Sequence, residues 1–259
     1  MLTEYVQRGV KAGVVAGILF GLLIALVANP LVAFADELQH EPTAGAHADE
    51  AGGAEHGHGA EAGVVSTLVT NAVSVVSGVL WGVLLGGVVF GAAYYFLEPL
   101  LPGSGAVKSY VLGAAGFVTA SGAPWLVLPP QPPGVEQAVG TETRLLLYGG
   151  MMVAGALVCL GSMFVYSRLA DTHGRLAAGI AALLPVGLLV VPAVLAPVPP
   201  VESAIDPVLA SGLTGMIVFG QLLLWFLLAG AHARFRRSAD GRPSATSHLD
   251  TGVTPETAD

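Results

Sequence analysis

With 259 residues, 54% hydrophobic and only 11% charged, and a mean hydropathy of +0.73, the chain is no soluble domain, where about a quarter of residues carry charge. Its apolar residues fall into runs near 20, the length that crosses roughly 30 Å of hydrocarbon. The expected fold class is therefore an all-α integral membrane protein, a polytopic helical bundle.

The net charge is −8, with two lysines (Lys11, Lys108) against eight arginines. A high-salt habitat and a GC-rich genome explain that balance equally well. The single cysteine, Cys159, lies within an apolar run and leaves neither a disulfide framework nor a thiolate metal site.

The first apolar run, about 9–34, has two readings. Ala33-Phe34-Ala35 resembles a signal-peptide cleavage site, but the apolar stretch 12–28 exceeds the usual 7–15 residues of a signal peptide. Gly9, Gly13, Gly17 and Gly21 repeat every four residues, the spacing of a helix that packs closely on another. The run is read as a retained span.

Next comes 36–63, a polar anionic loop. Between Asp36 and Glu61 stand seven acids, four of the seven histidines and no Lys or Arg. Imidazole and carboxylate bind borderline divalent cations such as Co²⁺ and Ni²⁺. His40, His47, His56 and His58, with Glu37, Glu41 and Glu55 beside them, make a cation collector. The competing reading is a solvated linker whose acids serve solubility. No ligand spacing here matches a fixed zinc site.

The second run, about 64–97, carries Thr67, Asn71, Ser74 and Gly78 as one polar stripe, continued by Gly82 and Gly86. Helix packing accounts for the Ser, Thr and Gly members. An amide deep in a membrane needs a partner or an ion, so Asn71 is the better candidate for a permeation path. Ser74 and, in the last span, Gln221 join it, with Thr119 and Ser121 as weaker versions. The methionines Met151, Met152, Met163 and Met216 are read as gap fillers.

Further runs are expected at about 108–128, 144–167, 176–196 and 207–230, with Pro185 and Pro192 kinking the fifth. The Pro129-Pro130-Gln131-Pro132-Pro133-Gly134 stretch cannot be helical and predicts a stiff outer turn at 129–134, an entrance with Glu136 beside it. The division is then a first transmembrane helix or signal sequence (1–35), the His/acid loop (36–63), a five-helix bundle (64–233) and a disordered cytoplasmic tail (234–259).

Numbering the loops alternately puts nine of the ten basic residues on one side, with only Arg144 on the other. By the positive-inside rule both termini are cytoplasmic and the His/acid loop lies outside the plasma membrane. Six spans are expected, or five if the first is cleaved. No span carries an acid or base near its middle, which disfavours strong proton coupling. Gly103 to Ser109 lacks the Gly-Lys pair of a phosphate loop, so no ATP binding is expected. His173, His232 and His248 are read as surface groups.

The glycine-rich first span, the His/acid loop, the segment Gly122 to Glu136 followed by Thr141-Glu142-Thr143-Arg144-Leu145-Leu146-Leu147-Tyr148, and Leu195-Ala196-Pro197-Val198-Pro199-Pro200 carry a resemblance. In these features the chain resembles the proposed cobalt transporter subunit CbtA family over roughly 6–233. The resemblance implies a membrane component of cobalt uptake working with a small single-span subunit that carries its own histidine motif. The family is usually described with five spans. Nickel is the alternative metal.

The expected function is a divalent-cation permease subunit and not an enzyme. It would hold no tightly bound cofactor, only transported or transiently bound cobalt(II) or nickel(II). Its partners are lipid, the cation and the small subunit, with no nucleic acid. The competing class is a non-transporting scaffold or metal-sensing subunit whose spans only anchor the loop.

Overall fold

The computed structural model describes residues 2–40, 60–131, 139–196 and 207–240. Among them the secondary structure is helical with no strand. The helices assemble into rods, and the first three rods share one irregularity: each contains a π-helical stretch.

The first rod is α1 (Leu2–Leu23), a π stretch (Ile24–Ala28) and α2 (Asn29–His40). Pro30 has no N–H to give the carbonyl four residues back, and the Asn29 N–H instead reaches five residues back to Ile24 O. The second rod is α3 (Ala60–Val83), a π stretch (Leu84–Gly91) and α4 (Ala92–Leu97). The third is α5 (Ala106–Phe117), a π stretch (Val118–Gly122) and α6 (Ala123–Trp125). Here Pro124 deprives the Ala120 carbonyl of its helical donor, and the Tyr148 hydroxyl donates to that oxygen in its place.

The helix α7 (Thr141–Ala181) is interrupted at Gly174, at φ 81° and ψ 161°, a conformation that costs any residue with a Cβ. Beyond it the chain reverses. The short helices α8 (Leu184–Gly187) and α9 (Val190–Leu195), each holding one of Pro185 and Pro192, bring Val186 and Leu189 back against Val158 and Met151. The last rod is α10 (Pro207–Asp240).

Four stretches are long and apolar enough to cross a membrane: 2–34, 67–97, 141–195 and 207–238. Their outward faces carry large apolar side chains, with Leu176 81% and Val208 80% exposed. In lipid such faces are solvated, whereas every backbone polar group must be satisfied internally, as it is in a helix.

The first rod is built into the centre of the bundle. Gly9, Gly13, Gly17 and Gly21 meet Gly78, Gly82, Gly86 and Gly91, backbone against backbone. A Cβ on Gly82 would press on the Gly13 carbonyl and lie 2.8 Å from the Gly17 Cα. A Cβ on Gly91 would lie 2.8 Å from the Tyr5 carbonyl oxygen. Lipid tails are as apolar as the helices, so close van der Waals contact of this kind is what drives them together. On its other side α1 packs on α10, and α10 on α5, around a core of Ala12, Ala16, Phe90, Leu112, Trp225 and Leu228. A second cluster (Ala123, Val127, Met151, Val158, Leu189) joins α6 to the α7–α9 hairpin.

His232 differs from the surface group expected. It is 1% exposed, its ring lies 5.1 Å from Phe90 and 4.6 Å from Tyr94, and its Nδ1 is 3.0 Å from Ser109 Oγ. The reason is length: α10 continues as helix through residues assigned to the tail, so the turn bearing His232 and Arg236 stays against the bundle. Arg236 pairs with Glu98 at 2.8 Å, Tyr5 donates to the other Glu98 oxygen at 2.6 Å, and Lys108 donates to the Glu98 carbonyl at 2.7 Å. Four rods are thus tied together at one end of the bundle. Lys108, in the first turn of α5, caps the end of α4.

Candidate functional site

The opposite half of the bundle holds a second set of polar side chains. Asn71 and Ser74 lie on α3 and share a face. There they meet a residue that the sequence reading passed over. Asn29 Nδ2 donates to Asn71 Oδ1 at 2.9 Å and to Ser74 Oγ at 3.0 Å. The Ser74 hydroxyl proton is directed to Thr70 O at 3.0 Å, which leaves the lone pairs of its oxygen to face Asn29. Gly78, the next member of the stripe, has no polar role and packs on Gly17 and Gly21.

Two cavities adjoin this cluster. One of about 280 Å³ is lined by Asn29, Met216 and Gln221 among apolar residues of α1, α2 and α10. The other, of about 550 Å³, is lined by Ser74, Ser77, Ser121, Tyr148 and Gln221, with Trp81, Trp125 and Trp225 as its aromatic walls. Phe20, Ile24 and Gln221 line both, so one wall separates them. Buried Ser121 donates to Gln221 Oε1 at 3.4 Å, linking the third rod to α10 across this region.

The π stretches supply part of these walls: Ile24 and Ala28 from the first, Leu85 from the second, Ala120 and Ser121 from the third. Such bulges occur disproportionately at functional sites, because the extra residue per turn re-aims the side chains that follow. The arrangement offers neutral oxygens from serine, asparagine and glutamine at the rim of space large enough for several waters. That set can accept a partly hydrated cation without holding it strongly. It provides no general acid–base pair.

Of the three expected path residues, Ser74 and Gln221 line the same cavity, and Asn71 reaches it through Asn29 and Ser74. Thr119 faces Cys159, its Oγ1 4.0 Å from Sγ. Met151 and Met163 are buried in the two cores as gap fillers, while Met216 lines the smaller cavity. At the expected entrance, Pro129 and Pro130 follow α6 outside any helix, and Pro132, Pro133 and Glu136 lie outside the described residues. In the expected collector, Glu37 and His40 end α2, and Glu41, His47, Glu55, His56 and His58 lie outside the described residues. Among the described residues no group of three or more His, Cys, Asp or Glu side chains converges on a point that could hold a metal.

Asn29 left a signal in the sequence. It is the one polar side chain between Lys11 and Asp36 and stands directly before a proline, where a helix frees its hydrogen bonds. Its two partners are 42 and 45 residues away and could not be found by spacing alone.

A family described as "Probable cobalt transporter subunit (CbtA)" matches residues 2–237. The chain belongs to the CbtA family. The match takes in the α1 glycines, both cavities and α10 as far as Arg237. No curated protein and no solved structure matched the chain. Membership, with four long apolar helices, makes this a multi-pass membrane protein of a transporter family, which is not an enzyme class. The word subunit implies a partner within a transporter complex.

Proposed function

We propose that this CbtA-family protein is the permease subunit of a divalent-cation uptake system of the plasma membrane, with Co²⁺ as the leading cargo and Ni²⁺ as the alternative. The observation that carries this reading is the pair of adjoining cavities lined by Ser74, Ser121 and Gln221 and bordered by Asn29, within a chain matched over 2–237 by a cobalt transporter family.

Six spans, with both termini in the cytoplasm, put the His/acid loop outside. There His40, His47, His56 and His58 with Glu37, Glu41 and Glu55 gather the cation. The proline-rich turn with Glu136 flanks the entrance. The ion then passes along Asn71, Ser74 and Gln221, exchanging hydration water for weak neutral oxygens. An amide deep in a membrane needs a partner or an ion, and here the amides Asn71 and Gln221 stand beside hydroxyls at the cavities. Neutral oxygens bind weakly enough to release what they accept. The small single-span subunit with its histidine motif completes the system.

The test is uptake. Cells expressing the chain, with and without the small subunit, are supplied with Co²⁺ and Ni²⁺, and accumulated metal is measured. Accumulation above the empty-vector level is expected. If neither metal accumulates in either pairing, the spans serve only to anchor the loop, and the scaffold or sensor class takes the place of the permease.

A further inference from the structure

The geometry points to a cation site that Asn29 keeps shut: Asn71 Oδ1 and Ser74 Oγ form two of its ligands, and the Asn29 carboxamide is both the lid and the third ligand. This deepens the permease reading and rests on it for the identity of the ion.

Two acceptor oxygens, from the same face of α3, aim at one point. The Ser74 proton is committed to Thr70 O, so its oxygen offers only lone pairs there, and Asn71 presents its carbonyl oxygen rather than its NH₂. The point is occupied by the Asn29 Nδ2, 2.9 and 3.0 Å from the two oxygens. An amide NH₂ is the partly positive end of a dipole, and it fills the place a cation would take. Asn29 itself lines the smaller cavity, and Ser74 lines the larger. The bridge therefore runs from a residue of one space to a residue of the other.

A half-turn of the carboxamide about its terminal torsion exchanges Nδ2 for Oδ1. That torsion is broad and roughly two-fold, so the turn carries little rotamer cost. The same point then has three oxygens and no donor. Water supplies the remaining ligands of a hydrated divalent ion. The turn moves side-chain atoms alone, so the Asn29 N–H keeps its bond to Ile24 O. The empty site is closed by a hydrogen-bonded bridge, and an arriving cation opens it by replacing that bridge.

The experiment measures binding rather than transport. The purified full chain, with His40, His47, His56 and His58 replaced by alanine, is dialysed to equilibrium against Co²⁺. Single changes at Asn29, Asn71 and Ser74 are then added. Ser74→Ala is the mildest and keeps the fold; gel filtration and thermal unfolding check all of them.

Ser74→Ala and Asn71→Ala should each remove one equivalent of weakly bound Co²⁺. Asn29→Asp replaces the donor by a charged oxygen and should tighten that same equivalent by about tenfold, because ligand charge sets affinity in oxygen sites. Folded Ser74→Ala and Asn29→Asp proteins that bind Co²⁺ as the parent does would overturn the site. Failure of uptake with these binding changes intact would count against the permease and leave the site standing. Normal uptake with no such changes would remove the site alone.

Discussion

At the scale of single residues, the bundle pairs its carboxamides: Asn29 Nδ2 donates to Asn71 Oδ1 at 2.9 Å. A carboxamide in an apolar helix signals need for a partner, which marked Asn71 from its type alone. That the partner is Asn29, across a separation of 42 residues, depends on how the first rod lies against α3. His232 shows the same limit from the other side. Followed in sequence by Arg234, Arg236 and Arg237, it reads as a surface group. The helix carries it inward, to Phe90, Tyr94 and Ser109. Its role is accordingly one of packing. His232→Ala should lower stability by about 3 kcal/mol, the cost of a buried ring's cavity, and Ser109→Ala should cost less. Thermal unfolding in detergent checks both. A His232→Ala protein as stable as the parent would mean that its buried ring carries no packing energy.

At the scale of elements, the glycine spacing of the first run was legible and its reading held physically: the four glycines form a contact face against those of the second rod. The consequence is sharp. Gly82→Val places side-chain atoms where the Gly13 carbonyl lies, and both contacts are backbone, which cannot rotate away. Overpacking of this kind typically costs 1–3 kcal/mol or more, so the variant should unfold earlier in detergent than Gly149→Val, where a Cβ meets nothing within 4 Å. The same face bears on processing. A chain cut after Ala35 would lose α1 and expose the glycine groove of α3. N-terminal sequencing of the membrane-extracted protein should therefore begin upstream of Asp36; a start at Asp36 would contradict this and reduce the spans to five. The π stretches were not legible. Pro30 and Pro124 could be seen in the sequence, but whether a helix answers a proline with a kink, a break or a bulge is set by the neighbours that take up the freed carbonyl, as Tyr148 does for Ala120.

The His/acid stretch gives a pH prediction of its own. A peptide covering 35–63 should bind Co²⁺ and Ni²⁺ at neutral pH, and more tightly Ni²⁺ by the Irving–Williams order. Imidazole ligates only when neutral and titrates near pH 6.5, so binding should fall as pH drops through about 6. It should also be lost on replacing His40, His47, His56 and His58 by alanine. Calorimetry at two pH values reads both effects. Binding that ignores acid and substitution alike would assign the ion to the carboxylates.

At the scale of the whole molecule, hydropathy, proline positions and the reversal near Arg168–Arg175 were visible in the sequence, and Gly174 makes that reversal. The end of α10 was not, since Arg234 to Arg237 read as tail until Glu98 is seen to meet Arg236. Glu98, Arg236 and Tyr5 tie the rods together at one end of the bundle, and the cavities lie in the other half. The central claim is that a cation crosses along Asn71, Ser74 and Gln221. Its most direct test is Co²⁺ influx into proteoliposomes holding the chain and the small subunit. The four-histidine loop variant should slow influx at low Co²⁺ and recover at high Co²⁺, because the loop gathers and does not conduct. Gln221→Leu should slow it about tenfold at every concentration, the effect of adding about 1.4 kcal/mol to the barrier. Influx that is unchanged in a folded Gln221→Leu protein, at all Co²⁺ concentrations, would contradict the route.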